Sequence, residues 1–224
     1  MNVRIIKDNK AQHKMFLLLF LVFLFVIVIV GGYTIAFMVA PTQAKLNNAN
    51  VGDIEARLTE SDWDKLGDSE KILYPNKSLP KNPVVENISD RNHDIYAYIK
   101  VRIPRAEVVV VSNKTTVADP VMTNLFTYNF DTVHWIEIEK LSPVENTPYA
   151  EAVYGYYTKL EKDQTTEPLF ETVTFVNILE GSLPKGTKLE IEIESLAIQA
   201  DYLDEVEGEQ EQDLIKHAYG TYLK

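Results

Sequence analysis

The sequence predicts an all-β protein, an antiparallel β-sandwich with an apolar helix before it and a short helix after it. Several segments alternate apolar and polar residues with a period of two, most clearly from Ile95 to Ile103. Proline and glycine separate these segments at the spacing expected of an antiparallel sandwich. A long uncharged stretch, residues 15–40, precedes them all.

Residues 1–36 have the layout of an export signal. Four basic residues come first, then an apolar run from Met15 to Val30, and then Gly31-Gly32. Thr34 and Ala36 supply the small residues that a signal peptidase requires at its −3 and −1 positions. We therefore predict cleavage between Ala36 and Phe37, a secreted or cell-surface protein, and a signal peptidase as its partner during export.

The same stretch is also long enough to serve as a membrane anchor. Residues 15–40 carry no charge, and about 20 apolar residues are sufficient to span a bilayer. In that alternative the basic residues stay inside, residues after about 40 face outward, and the membrane is contacted only through residues 15–40. A second small-residue site, Thr42-Gln43-Ala44, lies just downstream.

Composition limits the classes of partner. The chain has no cysteine, so it has neither a disulfide framework nor a thiolate metal site. Its 22 basic and 33 acidic residues give a net charge of −11. Four of the basic residues and one acidic residue precede Phe37, so the cleaved chain has a net charge of −14. This excess argues against nucleic acid and anionic membrane surfaces, which require a basic footprint.

The cleaved chain divides into a connector, residues 37–50, a β-sandwich domain, residues 51–200, and an acidic tail, residues 201–224. The strand candidates are Ile54–Leu58, Ile95–Ile103, Glu107–Val111, Trp135–Glu139, Ala150–Thr158, Leu169–Leu179 and Thr187–Ile198. Pro104 is expected to end the second of these, because proline cannot donate to a ladder.

Two features near the C-terminal end of the domain predict local irregularities. In the last strand the apolar positions change parity between Ile193 and Leu196, which predicts a bulge or a strand that changes sheets. Gly181, Pro184 and Gly186 lie between the last two strand candidates and predict a connection of hairpin length.

Helix is predicted in only two places after the signal. Residues 61–71 are expected to form a turn or two, and the tail is expected to hold a short amphipathic helix around Leu214, Ile215 and Ala218. Seven acidic residues and no basic residue lie between Asp201 and Asp213, which indicates a solvated stretch rather than a calcium loop, since Gly208 is out of phase.

Residues that could carry chemistry are scarce. His93, His134 and His217 are far apart in sequence and are read as surface or rim residues. In a strand, His134 and Glu137 would project to opposite faces, which differs from a zinc-binding helix. Alternation places Tyr154 and Tyr156 on one face and Tyr157 on the other, so part of this tyrosine cluster belongs to the core. We predict no catalytic, cofactor-binding or metal-binding residue and no cofactor.

An ordered set of short motifs resembles the TasA/camelysin family, exported proteins of Gram-positive bacteria with signals cut by a SipW-type peptidase. The similar stretches are Gly31–Phe37, Asn50–Ile54, Leu79–Asn87, Ile95–Val101, Leu169–Asn177 and Ala197–Asp201. Together they span most of residues 31–203.

The resemblance implies a jelly-roll β-sandwich that self-associates, or joins other matrix proteins, in biofilm-matrix fibres. In such fibres the N-terminal segment of one subunit completes the sheet of the next. Carried onto this chain, the donor segment begins with the apolar residues Phe37, Met38, Val39 and Ala40 and extends to about Asn50. The resemblance also implies an alternative, a camelysin-type surface metalloendopeptidase. Retention of the apolar segment would give a third alternative, an anchored surface adhesin or signalling ectodomain.

Overall fold

The computed structural model describes residues 54–90, 92–112, 115–116, 119–200 and 211–223. These residues are predominantly β-structure in antiparallel sheets, as predicted, with a short C-terminal helix. The strands, in chain order, are β1 (Ala56–Thr59), β2 (Ser78–Pro80), β3 (Val84–Asn87), β4 (Ile95–Val108), β5 (Val111–Ser112), β6 (Thr115–Thr116), β7 (Val121–Asn124), β8 (Phe126–Thr127), β9 (Trp135–Pro143), β10 (Tyr149–Tyr156), β11 (Thr172–Phe175) and β12 (Glu192–Gln199). The helices are α1 (Ser61–Asp64) and α2 (Glu211–Tyr222).

The first sheet has the strand order β12-β4-β10-β9, with every neighbouring pair antiparallel. The long strand β4 lies at its centre and pairs with β10 on one side and β12 on the other. Beyond Pro104 the same strand continues and pairs with β7 instead. The expectation that Pro104 ends the strand is therefore wrong. Pro104 lies where β4 changes partners, so its missing N–H interrupts neither ladder.

The second sheet is assembled from shorter strands. β1 pairs with β3, and β11 pairs with both β2 and β8. The segment before β11 joins these two groups, because Thr166 N donates to Val85 O at 2.8 Å and Lys81 N donates to Glu171 O at 2.9 Å. Across the second sheet, β8 is followed by β11 and the segment that precedes it in the chain. β2 lies beside β11, β3 lies beside the preceding segment, and β1 lies beside β3.

The inward faces of the two sheets share one apolar core. Ile99 and Val101 of β4 lie in the same buried cluster as Val85 of β3 and Val173 of β11. Trp135, at the start of β9, is fully buried in this cluster and donates its indole N–H to Glu167 O at 3.1 Å. The alternating patterns of these strands are thus explained by burial of one face.

A second, smaller apolar cluster lies on the other face of the first sheet, beneath α2. It joins Tyr96, Tyr98 and Ile198 of the sheet to Ile215 and Tyr219 of the helix. Burial of the apolar face of α2 explains why this short segment is helical, since short isolated helices are marginal in water. The Tyr98 hydroxyl donates to Ile215 O at 2.9 Å, and the two aromatic rings of Tyr98 and Tyr219 are 5.6 Å apart.

This helix also explains the change of parity in β12. The register between β12 and β4 is continuous from Glu192 to Gln199, so the predicted bulge or change of sheets is wrong. Ile193 and Ala197 face the main core, whereas Leu196 and Ile198 face α2. The strand is buried on both faces at its C-terminal end, and this removes the simple alternation.

The predicted hairpin between the last two strand candidates is also wrong. β11 belongs to the second sheet and β12 to the first. Gly181 and Gly186 both have positive φ angles, 80° and 82°, in the long connection that crosses between the sheets. The glycines do lie in a loop, as predicted, but this loop crosses from one sheet to the other.

Candidate functional site

The candidate site is a groove between the two sheets at the side where β8 and β9 are the outermost strands. In the part of the chain that the structure describes, β9 pairs with β10 alone and β8 pairs with β11 alone. At the opposite side of the molecule, β1 of the second sheet contacts β12 of the first. The groove at the β8–β9 side has a volume of about 520 Å³, within the range of protein ligand sites.

The apolar part of the groove lining is mainly aromatic. Phe126 of β8 is followed at alternate positions by Tyr128 and Phe130 of the connecting segment, and Tyr154 of β10 lies opposite them on the first sheet. The ring centroids of Phe130 and Tyr154 are 4.7 Å apart, a close aromatic contact. Leu141 of β9 completes the apolar part of the lining.

A buried pair of hydroxyl groups lies beside the groove. The hydroxyls of Tyr128 and Tyr154 share a hydrogen bond at 3.0 Å. Burial raises the pKa of both phenols, and the nearby Glu137 carboxylate acts in the same direction. Both side chains therefore remain neutral at physiological pH and present an apolar ring with a satisfied polar tip.

Among the described residues, Glu137 is the only charged residue that lines the groove. The other polar lining residues are Asn124, Thr127, Asn129 and Thr132. Glu137 is half-buried and is paired in register with Tyr154 of β10, so the two side chains lie on the same face of the first sheet. Among the described residues, no basic side chain forms an ion pair with Glu137. This side of the groove therefore carries an uncompensated negative charge.

The loop between β8 and β9 is held by Asp131. The Asp131 N–H donates to Leu169 O at 2.8 Å, and the Asp131 carboxylate accepts from Val133 N at 2.8 Å and from the His134 ring. The hydrogen bond from His134 holds the pKa of Asp131 below its usual value. These bonds fix the path of the chain between Phe130, in the groove, and Trp135, in the core.

The three histidines after the signal do not converge. His134 pairs with Asp131, the His93 ring accepts from the Gln199 amide at 2.9 Å, and His217 is exposed on α2. Among the described residues there is no group of three or more His, Cys, Asp or Glu side chains that could hold a metal ion. The sequence-based interpretation of these residues as surface or rim groups agrees with these positions.

The structure confirms part of the tyrosine interpretation. Tyr154 and Tyr156 are both buried in the main core, and Tyr157 is half-buried. Tyr154 also lines the groove. The proposed cleavage residues Ala36 and Phe37 and the donor residues Met38, Val39 and Ala40 lie outside the described residues, as does the acidic stretch 201–210.

Sequence reasoning missed the groove itself. The alternation of Phe126, Tyr128 and Phe130 is a period-two aromatic signal that could have marked one wall. In the sequence, Glu137 stands out only through its spacing from His134. No sequence pattern indicates that it faces Tyr154 on an unpaired edge, because that depends on the pairing of β9 with β10.

A buried ion pair was also missed. Lys81 Nζ lies 2.7 Å from Glu60 Oε2, and both side chains are fully buried beside Trp63. Lys81 Nζ also lies 5.1 Å from the centroid of the Trp63 ring. The second oxygen of Glu60 has no hydrogen-bond partner among the described residues. This pair links the end of β1 to the end of β2 and is distant in sequence from the groove residues.

Comparison with protein-family models, curated proteins and solved structures gives no match to this chain. Among the described residues, no helix is both long enough and apolar enough to cross a bilayer. An unpaired strand edge, aromatic walls and one carboxylate form a surface suited to an extended apolar peptide.

Proposed function

We propose that this chain is a secreted or cell-surface structural protein, a subunit or accessory of extracellular biofilm-matrix fibres. In this proposal its β-domain is a jelly-roll-like sandwich, and the N-terminal segment of one copy adds to the sheet edge of the next. The observation that carries the proposal is the groove between the unpaired edges of β8 and β9. The sequence motifs that resemble the TasA/camelysin family support it independently.

The geometry of the groove suits strand addition. An added strand would form backbone hydrogen bonds with an open edge and place alternate side chains into pockets, the β-augmentation mode of recognition. Here the pockets are lined by Phe126, Tyr128, Phe130 and Leu141. The segment Phe37–Ala40 offers apolar side chains to fill them, and Pro41 ends the apolar stretch.

A donor strand would bind at the β8–β9 side of the domain, because that side has the groove. Contact between β1 and β12 closes the opposite side, whereas the β8–β9 side retains a groove. An open apolar groove with unpaired strand edges is a site of association unless the protein protects it. In this proposal the donor segment of the neighbouring copy is what protects it.

The donor side of the proposal is tested by two variants of the chain that begins at Phe37. One lacks residues 37–50, and the other keeps its length but has serine in place of Phe37, Met38, Val39 and Ala40. We expect both variants to lose the assemblies that the parent chain forms, measured by size-exclusion chromatography and electron microscopy. Unchanged assemblies in both variants would contradict the donor assignment.

The acceptor side is tested by a charged substitution in the groove with a matched control. Leu141→Lys introduces an ammonium group into the apolar lining and is expected to abolish assembly. Val133→Lys makes a similar change at a side chain that is 73% exposed and outside the groove lining, and is expected to assemble normally. Equal behaviour of the two variants would place the acceptor surface elsewhere.

A further inference from the structure

The charge of Glu137, the one charged side chain that the described residues contribute to the groove, indicates what the end of the donor carries. Glu137 lies among aromatic rings on the inner face of an edge strand, and no basic side chain of the described residues pairs with it. A carboxylate set among apolar walls attracts a ligand that carries a positive charge, because charge complementarity favours binding and selects the partner. The occupant of the groove should therefore bring a positive charge.

The connector has such a charge at its first residue once the signal is removed. Between Phe37 and Asn50 the only ionisable side chain is Lys45, so cleavage at Ala36 adds an α-ammonium group beside an apolar tetrapeptide. The α-amino group has an ordinary pKa of about 7.7–8.0 and is largely protonated at neutral pH. The connector is thus basic, whereas the cleaved chain as a whole has a net charge of −14.

The ring of Phe37 matches the walls around Glu137. Phe126, Tyr128 and Phe130 provide aromatic partners on one side, and an ammonium group next to aromatic faces is attracted by their quadrupoles. The segment that would carry Phe37 to a neighbouring copy is long. Residues 37–53 number seventeen and extend at most about 56–61 Å from the first described residue.

We infer that the groove of one copy recognises the free N-terminal ammonium group of Phe37 from another copy, which forms an ion pair with Glu137. This inference rests on the proposed function and adds the group that the acceptor recognises. Signal cleavage creates that group. An uncleaved copy presents Ala36 linked to Phe37, with no charge at that position, and is not accepted. Assembly can therefore begin only after export and signal cleavage.

The inference is tested with the chain that begins at Phe37, compared with the same chain after N-terminal acetylation. Acetylation removes the positive charge and leaves every side chain in place. We expect the concentration required for assembly to rise about tenfold, the change typical of losing a hydrogen-bonded charge. Glu137→Gln is expected to raise it similarly and to make assembly insensitive to acetylation.

Two matched variants control for other effects of charge. Glu145→Gln makes the same chemical change at an exposed position outside the groove lining, and Lys45→Gln removes the other positive charge of the connector. Both are expected to assemble like the parent chain and to remain sensitive to acetylation. Far-ultraviolet circular dichroism of each variant verifies that its fold is retained.

The outcomes separate this inference from the proposed function. If acetylation and Glu137→Gln leave assembly unchanged while Leu141→Lys abolishes it, the ammonium recognition is wrong and the strand-addition proposal stands. If Glu137→Gln increases assembly, Glu137 protects the edge against association, which also overturns the inference. If removal of residues 37–50 changes nothing, the proposed function itself fails.

Discussion

Gly155 of β10 lies directly beneath Ile215 of α2, with no room for a side chain between them. A Cβ atom at Gly155 would lie 2.6 Å from Ile215 Cγ2, and 3.2 Å from both Ile138 Cδ1 and a ring carbon of Tyr98. The absence of a side chain at this position allows α2 to approach the first sheet closely. The close packing of α2 on the first sheet thus depends on glycine at position 155.

Gly155→Ala should loosen this contact. The added methyl group overpacks a buried site, which typically costs about 1–3 kcal/mol of the free energy of unfolding. We expect a loss in that range, measured by urea denaturation. Ile215→Ala in the same chain removes the clashing atom, so the cost of Gly155→Ala should be smaller in that background.

Gly220→Ala is the matched control. Gly220 lies in α2, the helix that contains Ile215, and has open space around it. Alanine favours a helix interior over glycine by about 0.5–1 kcal/mol, so this variant should be slightly more stable than the parent. Equal effects of the two substitutions would contradict the close contact between Gly155 and Ile215.

The alternating segments were predictable because their periodicity is a local property. Ile95–Ile103 lies within β4, and the predicted run Thr187–Ile198 includes all of β12 except Gln199. The helix was also predictable, since Ile215 and Ala218 are buried on one face of α2. In each case the apolar periodicity lies within one segment, and it predicts that segment's secondary structure whichever apolar surface the segment packs against.

The arrangement of these segments was not predictable from the same signals. β2 and β8 are too short to show a period, and Pro80 made the first of them resemble a loop. The groove depends on which strands remain unpaired at one edge, and that follows from contacts between residues far apart in sequence. The Glu60–Lys81 pair is similar, because neither residue indicates a partner 21 positions away.

Removing the cation of the buried pair should strongly destabilise the domain. Lys81→Met leaves the Glu60 carboxylate buried without its partner, which typically costs about 3–5 kcal/mol. We expect a loss of that size in urea denaturation. Glu60→Gln combined with Lys81→Met removes both charges and should recover much of it.

The exposed pair Lys65–Asp62 provides the control. Its Nζ–Oδ1 distance is 3.0 Å, but the two side chains are 73% and 49% exposed. Exposed pairs contribute about 0–1 kcal/mol, so Lys65→Met should change stability by less than about 1 kcal/mol. A similar loss in Lys65→Met and Lys81→Met would show that burial of the charge is not the cause.

Alkaline pH should destabilise the protein through its buried phenols. Burial raises the pKa of Tyr98 and Tyr128, and it raises the pKa of Tyr219 to about 12. In the unfolded chain these groups ionise near pH 10. Above that pH the unfolded state binds fewer protons than the folded state, so the free energy of unfolding falls as pH rises towards the folded pKa values.

Urea denaturation at a series of pH values from about 9 to 11 measures this slope. Tyr98→Phe and Tyr128→Phe should each make the decline less steep. Tyr74→Phe, at a side chain that is 57% exposed, should leave the slope unchanged. A decline that none of the buried tyrosine substitutions affects would assign the alkaline sensitivity to other groups.

The exported protein should begin at Phe37. Thr34 and Ala36 are small enough for the −3 and −1 pockets of a signal peptidase. Gly31 and Gly32 come just before these two residues and would favour unwinding of a helical apolar region there, since glycine disfavours a helix interior by about 1 kcal/mol relative to alanine. Intact mass spectrometry of protein recovered from culture medium measures the terminus. If the first residue is Lys45, the proposed donor residues Phe37, Met38, Val39 and Ala40 are discarded and the donor assignment is wrong. An intact Met1 would favour the membrane-anchored alternative.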